Sequence, residues 1–188
     1  MSTTPEARER HPLVSYLENL VERGDRGSLA ALRRGLGKRP GDSPEMYPHV
    51  MRFDPKPWEE ESCFLVASLF ALWHQGSLSG ASGPIPGSIG HSFRQVQDQS
   101  DSESIERRFV ALLNAHRQDL PEHLRHAVSL MRSADRPVPV NWDQLLRDLR
   151  NWEDERRFVQ RRWARNFWGQ IGQPAGQSAD QDAGTNPS

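Results

Sequence analysis

Apolar residues recur along the chain at the three- and four-residue spacing of amphipathic helices. In one segment Leu13, Leu17 and Leu20 follow this period, while Pro12 suits the first helical turn and Gly24 the end of the helix. The same spacing predicts further helices in residues 25–37, 43–53, 92–96, 101–117, 121–134 and 141–152. No segment alternates apolar and polar positions over the length of a strand. The pattern therefore predicts an all-α fold.

The most strongly predicted helix covers residues 57–75. Pro57 opens it, the acidic residues 59–61 suit the positive end of the helix dipole, and His74 lies near the negative end. Residues 64–73 are apolar on nearly every side, so we expect this helix to run through the middle of the core. This apolar run has about half the length needed to span a bilayer, which predicts a soluble protein without membrane contact. The single cysteine of the chain fits a reducing cytosol and predicts a cytoplasmic location.

Composition divides the chain into four parts. Residues 1–10 contain no apolar run, do not resemble a secretory signal, and are predicted to be disordered. Residues 76–90 are rich in Gly, Ser and Pro and predict a flexible loop. This loop closes an N-terminal helical bundle (11–90) and precedes a C-terminal bundle (91–169), and the two small bundles are expected to pack together. Residues 170–188 contain no Lys, Arg or aromatic residue and predict a disordered tail.

Signals for catalysis and for metal binding are weak. Cys63, the single cysteine, is three turns from His74 on one predicted helix, so these side chains cannot meet, and a buried structural thiol is expected. His123 and His126 have a spacing that could hold a metal, but no second cluster completes a ligand set, which favours surface histidines. We therefore predict no catalytic residues, no metal and no cofactor.

The basic residues are almost all arginine. The chain has 24 Lys and Arg against 25 Asp and Glu, and only Lys38 and Lys56 are lysines. Guanidinium groups suit bidentate phosphate contacts, but a GC-rich genome produces the same bias. Because both explanations remain open, the positions of the arginines have to decide between them.

Residues 154–168 concentrate five arginines and four aromatic residues. We interpret residues 152–168 as one helix, continuing from a helix capped by Asn141, and place it on a wheel of about 100° per residue. The stripe expected to face the core consists of Trp152, Val159, Trp163 and Phe167. The opposite row consists of Arg157, Arg161 and Arg165, with Phe158 and Arg162 beside it.

Two interpretations of this row remain open from the residues alone. Glu153 and Arg157 have the spacing of a local ion pair, as expected for a solvated helix face. Arg161, Arg162 and Arg165, however, have no acidic residue within four positions, and Asp154 and Glu155 lie further back. Since like charges on one face repel, a polyanion such as nucleic acid would offset the repulsion.

The order of seven motifs along the chain resembles the CasB family, the small subunit of the type I-E CRISPR Cascade surveillance complex. The motifs are AALRRGLG (30–37), FLVASLFALW (64–73), GSIGHSF (87–93), SIERRFVALL (104–113), LRHAVSLMRS (124–133), VNWDQLLRDLRNW (140–152) and RRWARNFW (161–168). The resemblance spans about residues 11–168.

The resemblance implies a non-enzymatic, all-helical ribonucleoprotein subunit. Copies of such subunits associate head to tail, contact the Cascade backbone and large subunits, and hold crRNA-guided target DNA and the displaced single strand in the R-loop. The nucleic-acid-binding positions of the family correspond here to Arg34, Arg52 or Lys56, Arg107 or Arg108, Arg125, and Arg157 with Arg161, to which the outward row adds Arg165. About five phosphate contacts on a single strand would give a salt slope of roughly −3 to −4. The competing hypothesis is a structural adaptor whose arginines bind acidic protein partners.

Overall fold

A computed structural model describes residues 10–76, 87–100 and 102–169. Within these ranges the chain forms nine α-helices and no strand. The helices are α1 (Pro12–Glu22), α2 (Arg26–Arg33), α3 (Tyr47–Val50), α4 (Pro57–Trp73), α5 (Ile89–Ser100), α6 (Glu103–Leu113), α7 (Leu120–Ser133), α8 (Trp142–Arg150) and α9 (Phe158–Trp168). Two single 3₁₀ turns, Pro44–Met46 and Met51–Phe53, flank α3. The predicted all-α fold is confirmed.

Local capping explains where several helices begin. Pro12 opens α1 after His11, whose ring accepts a hydrogen bond from the Leu13 backbone N–H. Asn141 caps α8, as predicted, and accepts from the Gln144 N–H at 2.9 Å. Helix α2 begins at Arg26 after its cap Asp25, whose side chain accepts a hydrogen bond from the Ser28 N–H, and it ends at Arg33, before the end of the predicted segment 25–37.

Helix α4 lies at the centre of the fold, as its apolar run predicted. Cys63, Val66 and Phe70 are buried, and α4 packs against α1, α2 and α3 as well as α7 and α8. At its C-terminal end, burial lowers the pKa of His74 to about 4. The imidazole is therefore neutral near pH 7 and does not supply the positive charge that the helix-dipole argument assigned to it.

Because α4 contacts helices from both halves of the chain, one continuous apolar core extends from Leu13 to Phe167. The division into bundles at residues 11–90 and 91–169 stays a prediction. Most of the predicted flexible loop, residues 77–86, lies outside the described residues. The predictions of disorder for residues 1–10 and 170–188 also fall outside them, except for Arg10, which forms an ion pair with Glu18.

The predicted continuous helix through Trp152 is wrong, since α8 ends at Arg150 and α9 begins only at Phe158. Between them Trp152 turns into the core, where it is 3% exposed and donates a hydrogen bond to the Ala115 carbonyl at 3.1 Å. The buried Gln160 side-chain amide donates to the Trp152 carbonyl at 2.8 Å. These contacts with other parts of the fold stabilise a corner between α8 and α9, where the local helical spacing alone predicts that one helix continues.

Helices α5 and α6 are two of the neighbours that hold α9 in place. Helix α5 packs against it so closely that Gly90 lies against the backbone of Trp163. Helix α6 runs antiparallel to α9 on another side, with Trp168 donating to Glu106 at one end and Arg157 to the Leu113 carbonyl at the other. None of the helices in the described ranges is both long and apolar enough to cross a membrane.

Candidate nucleic-acid interface

Helix α9 carries apolar side chains on one face and basic side chains on the opposite face. The helical wheel predicted this arrangement for the residues that α9 covers. Val159, Trp163 and Phe167 are at most 2% exposed. Arg161 and Arg165 lie on the solvent side, one turn apart, and Arg165 Nε donates a hydrogen bond to the Arg161 carbonyl at 3.4 Å. Neither guanidinium has an acidic partner among the described residues.

Arg157 does not extend this row, because it precedes the helix and adopts a left-handed backbone conformation (φ 51°). Its guanidinium donates to the Leu113 carbonyl at 2.6 Å and so ties the start of α9 to the end of α6. The predicted Glu153–Arg157 pair does not form in the described structure, since no helix connects the two residues. Arg157 is exposed, but its guanidinium uses some of its N–H donors in the contact with the Leu113 carbonyl, and these donors are not available to a ligand.

Arg162, interpreted from the sequence as flanking charge, is a structural residue. It pairs with Asp148, which is 1% exposed. Trp163 Nε1 and Gln144 Nε2 donate to the same carboxylate at 2.5 and 2.6 Å. Burial raises the pKa of Asp148, and the three donors oppose this rise because they stabilise the carboxylate. This network fixes α9 against α8 and thereby orients the outward arginines.

Helix α6 presents Arg107 and Arg108 to solvent, and neither has an ion-pair partner in the described ranges. The antiparallel contact with α9 includes Phe109, whose ring centroid lies 4.5 Å from that of Phe167. Adjacent helices therefore carry four exposed arginines without acidic partners, which we name the α6–α9 arginine group: Arg107, Arg108, Arg161 and Arg165. Glu106 lies between the helices and accepts from Trp168 at 3.2 Å.

Arg125 is the one predicted site residue held by an ion pair. Its guanidinium forms a two-point contact with Glu122, at 2.6 and 3.1 Å, and this hydrogen bonding lowers the pKa of the carboxyl group. His126 Nε2 lies 3.0 Å from the same carboxylate. Because a pair as exposed as this one contributes little to stability, a phosphate can compete for Arg125 at small cost.

The other predicted site residues belong to the part of the fold that packs on α4. Arg34 directly follows the last residue of α2 and is exposed. Its backbone carbonyl accepts a hydrogen bond from the Ser43 hydroxyl. The Arg52 guanidinium lies 4.8 Å from the centre of the Tyr16 ring. Lys56 is exposed immediately before α4. The nine predicted positions are therefore spread over several elements. Besides α9, helix α6 also contacts α7, which carries Arg125.

One cluster escaped the sequence because its members are far apart in the chain. His11, Glu59 and Cys63 place potential metal-ligand atoms within 4.8 Å of one another. Arg150, however, pairs with Glu59 at 2.8 Å. Burial raises the pKa of the Cys63 thiol to about 12, which confirms the predicted buried thiol. A protonated thiol beside an already paired carboxylate is a poor ligand set for a cation, so we assign the cluster to packing.

Comparisons with known proteins agree on one family. The family model for CRISPR-associated protein Cse2 matches residues 28–168. A CRISPR-associated protein Cse2 from Thermus thermophilus is 34% identical over 149 residues, covering 74% of this chain and 78% of its own length.

Solved structures agree with the sequence comparisons. The crystal structure of CasB from M. ruber has a TM-score of 0.69 and 35% identity, with 86% of this chain and 94% of that chain covered. A chain of a CRISPR RNA-guided surveillance complex has a TM-score of 0.66 and 27% identity, with 82% and 88% covered. The predicted resemblance is confirmed by both kinds of comparison.

Proposed function

This chain belongs to the Cse2 family of CRISPR-associated proteins, also named CasB, and from this premise we propose that it is the small, non-catalytic subunit of a type I-E Cascade complex in the cytoplasm. Its similarity to a chain of an RNA-guided surveillance complex supports assembly into such a particle. Its partners there are the Cascade backbone and large subunits and a second copy of itself, arranged head to tail.

The proposed task is to stabilise the R-loop by binding target DNA and the displaced strand without reading their sequence. The observation that carries this proposal is the α6–α9 arginine group, four exposed guanidinium groups without acidic partners on contacting helices. Guanidinium groups bind phosphates and fix the position of a strand without specifying bases. Since a guide heteroduplex is about as stable as the duplex that it replaces, modest binding of the displaced strand shifts the balance towards the open R-loop.

Arg34, Arg52, Lys56, Arg125 and Arg157 extend the proposed DNA path beyond this group. They lie on other elements, so a strand that reaches them has to run across the surface. Arg125 would exchange Glu122 for a phosphate, and Arg157 would bind with the donors that Leu113 leaves free.

A purely structural adaptor remains the second candidate because an exposed tryptophan lies outside α6 and α9. Trp58, at the start of α4, is 63% exposed, and the Arg150 guanidinium lies 5.4 Å from its ring centre. An exposed tryptophan beside arginine is typical of a protein–protein contact. On this hypothesis the arginines bind acidic partner surfaces and do not contact DNA.

Charge reversal distinguishes the two functions. We would replace Arg107, Arg108, Arg161 and Arg165 by Glu and assemble the variant with guide RNA and its partner subunits. The matched control reverses four exposed arginines elsewhere, which are Arg23, Arg26, Arg39 and Arg136. The proposal expects normal assembly and at least tenfold weaker R-loop formation on a matched duplex for the first variant, with a much smaller loss for the control. Failure to assemble, together with unchanged binding of a single strand by the purified chain, would support the adaptor instead.

A further inference from the structure

A groove between α6 and α7 is lined by several side chains to which the proposed function assigns no role. It encloses about 530 Å³, within the range of about 300–1,000 Å³ typical of small-ligand sites. Its lining comes from three helices and consists of Phe93, Arg108, Ala111, His123, His126, Ala127, Ser129, Leu130 and Ser133. The histidine pair that the sequence offered as a metal-ligand candidate thus lies along this groove.

The groove has an apolar floor and a basic rim. Phe93 and Ala127 are 1% and 3% exposed and lie beneath the floor, so the apolar surface that a ligand can reach belongs to Ala111 and to the partly buried Leu130. Arg108 of α6 and the two histidines of α7 line the groove from different helices, and no acidic residue belongs to the lining among the described residues. Glu122 lies just outside, where its carboxylate is shared between Arg125 and His126. The lining therefore complements a ligand with a flat apolar part and an anionic group.

We propose that this groove holds one nucleotide of a bound DNA strand, with the base on the apolar floor and the adjoining phosphate at Arg108. His123 and His126 complete the rim around that phosphate. This inference rests on the proposed DNA-binding function and assigns it a specific site.

The groove favours single-stranded DNA over a duplex. A base that enters the groove has to leave its stack, which a single strand allows at little cost and a duplex does not. The α6–α7 groove consequently binds the displaced strand and not the guide–target heteroduplex. Arg108 thereby differs from Arg107, its neighbour on α6, since only Arg108 lines the groove.

The test separates base contacts from phosphate contacts. Binding of the full-length protein is measured by fluorescence anisotropy with a labelled thymidine strand and with an abasic strand of equal length and charge. Ser129→Trp fills the groove from an exposed position without changing the charge, and Ser133→Trp is a second such plug. Ser100→Trp is the matched control on an exposed site outside the groove. Circular dichroism checks that each variant is folded.

We expect the wild type and Ser100→Trp to bind the thymidine strand several-fold more tightly than the abasic strand, because a base that enters the groove buries apolar surface there. Both plugs should remove this preference and leave the affinity for the abasic strand unchanged. Arg108→Gln should weaken binding of both strands several-fold, more than Arg136→Gln does.

Three results would overturn the inference in distinguishable ways. If the plugs keep the preference while reversal of Arg161 and Arg165 weakens both strands, the groove is not a base site but the DNA-binding function stands. If the wild type binds neither strand, the proposed function fails as well. If the plugs instead prevent assembly of the complex and leave the strand preference intact, the groove binds a protein partner.

Discussion

The contact between α5 and α9 makes a sharp prediction for Gly90. A Cβ atom added at this residue would lie 2.0 Å from the Trp163 carbonyl oxygen and 2.7 Å from its carbonyl carbon. Both are backbone atoms of α9, so no side-chain rotation relieves the overlap. To reach an ordinary contact of 3.4 Å, the two helices have to separate by roughly 1.4 Å.

The cost follows from the packing on both sides of this contact. Ile89 and Phe93 of α5 and Trp163 of α9 are buried next to it and would lose contact as the helices part. Overpacking of a core typically costs about 1–3 kcal/mol, against which alanine gains up to about 1 kcal/mol over glycine in helix propensity. Because the obstructing atoms cannot move independently, we expect Gly90→Ala to lower the free energy of unfolding by about 2 kcal/mol.

Gly27, in the first turn of α2, is the matched control. An added Cβ there meets only the Asp25 carboxylate, at 3.6 Å, so Gly27→Ala should be neutral or stabilise the protein by up to about 1 kcal/mol. Urea unfolding followed by far-UV circular dichroism gives both values, with similar m-values required for the comparison. If Gly90→Ala is as stable as Gly27→Ala, the close approach of α5 and α9 is wrong, and so is the orientation of the α9 arginines.

Three further predictions concern buried polar groups. Asp148→Ala should lower the free energy of unfolding in urea by about 2–4 kcal/mol, because it leaves the buried Trp163 N–H and the half-exposed Arg162 without their acceptor. The control Glu153→Ala, at an exposed position between α8 and α9, should change this free energy by less than about 0.5 kcal/mol. Because the pKa of His74 is lowered to about 4 in the folded protein, the imidazole of the unfolded chain takes up its proton at a higher pH than that of the folded chain. The free energy of unfolding should therefore fall by about 3 kcal/mol as the pH drops from about 6.5 to about 4, and this loss should be absent in His74→Gln. Cys63, with a thiol pKa of about 12, should react with Ellman's reagent at pH 8 only after unfolding, and rapid reaction of the native protein would show that it is accessible.

The parts of the fold that local spacing determines were predictable from the sequence. The central position of α4 follows from an apolar run without a polar face, and the start of α8 follows from the capping preference of Asn141. The burial of Val159, Trp163 and Phe167 also followed from periodicity within one helix.

Features that depend on distant residues were not predictable in this way. The corner at Trp152 requires the Ala115 carbonyl, and Arg162 loses its apparent surplus charge to Asp148, 14 residues back on another helix. Arg117 likewise pairs with Glu61, 56 residues away in the chain. A census of acidic residues within four positions therefore overestimates the free positive charge.

The outcome for the candidate site follows the same division. Arg161 and Arg165 share one exposed face because both lie within α9, as the wheel required. Arg157 was misplaced on that face because its helical conformation was assumed, and its left-handed backbone depends on the corner that precedes it. The proximity of α6 to α9, which joins four arginines into one group, is tertiary and has no signature in sequence spacing.

The salt dependence of single-strand binding tests the central claim most directly. For the purified chain and a labelled oligonucleotide, the slope of log Kobs against log salt concentration changes by about 0.7 for each phosphate contact. If the α6–α9 arginine group binds DNA, replacing Arg107, Arg108, Arg161 and Arg165 by Gln should reduce the magnitude of this slope by about 3. The same change at Arg23, Arg26, Arg39 and Arg136 should leave the slope within about one unit of wild type. An unchanged slope in the first variant would contradict the claim that these four arginines bind the DNA backbone.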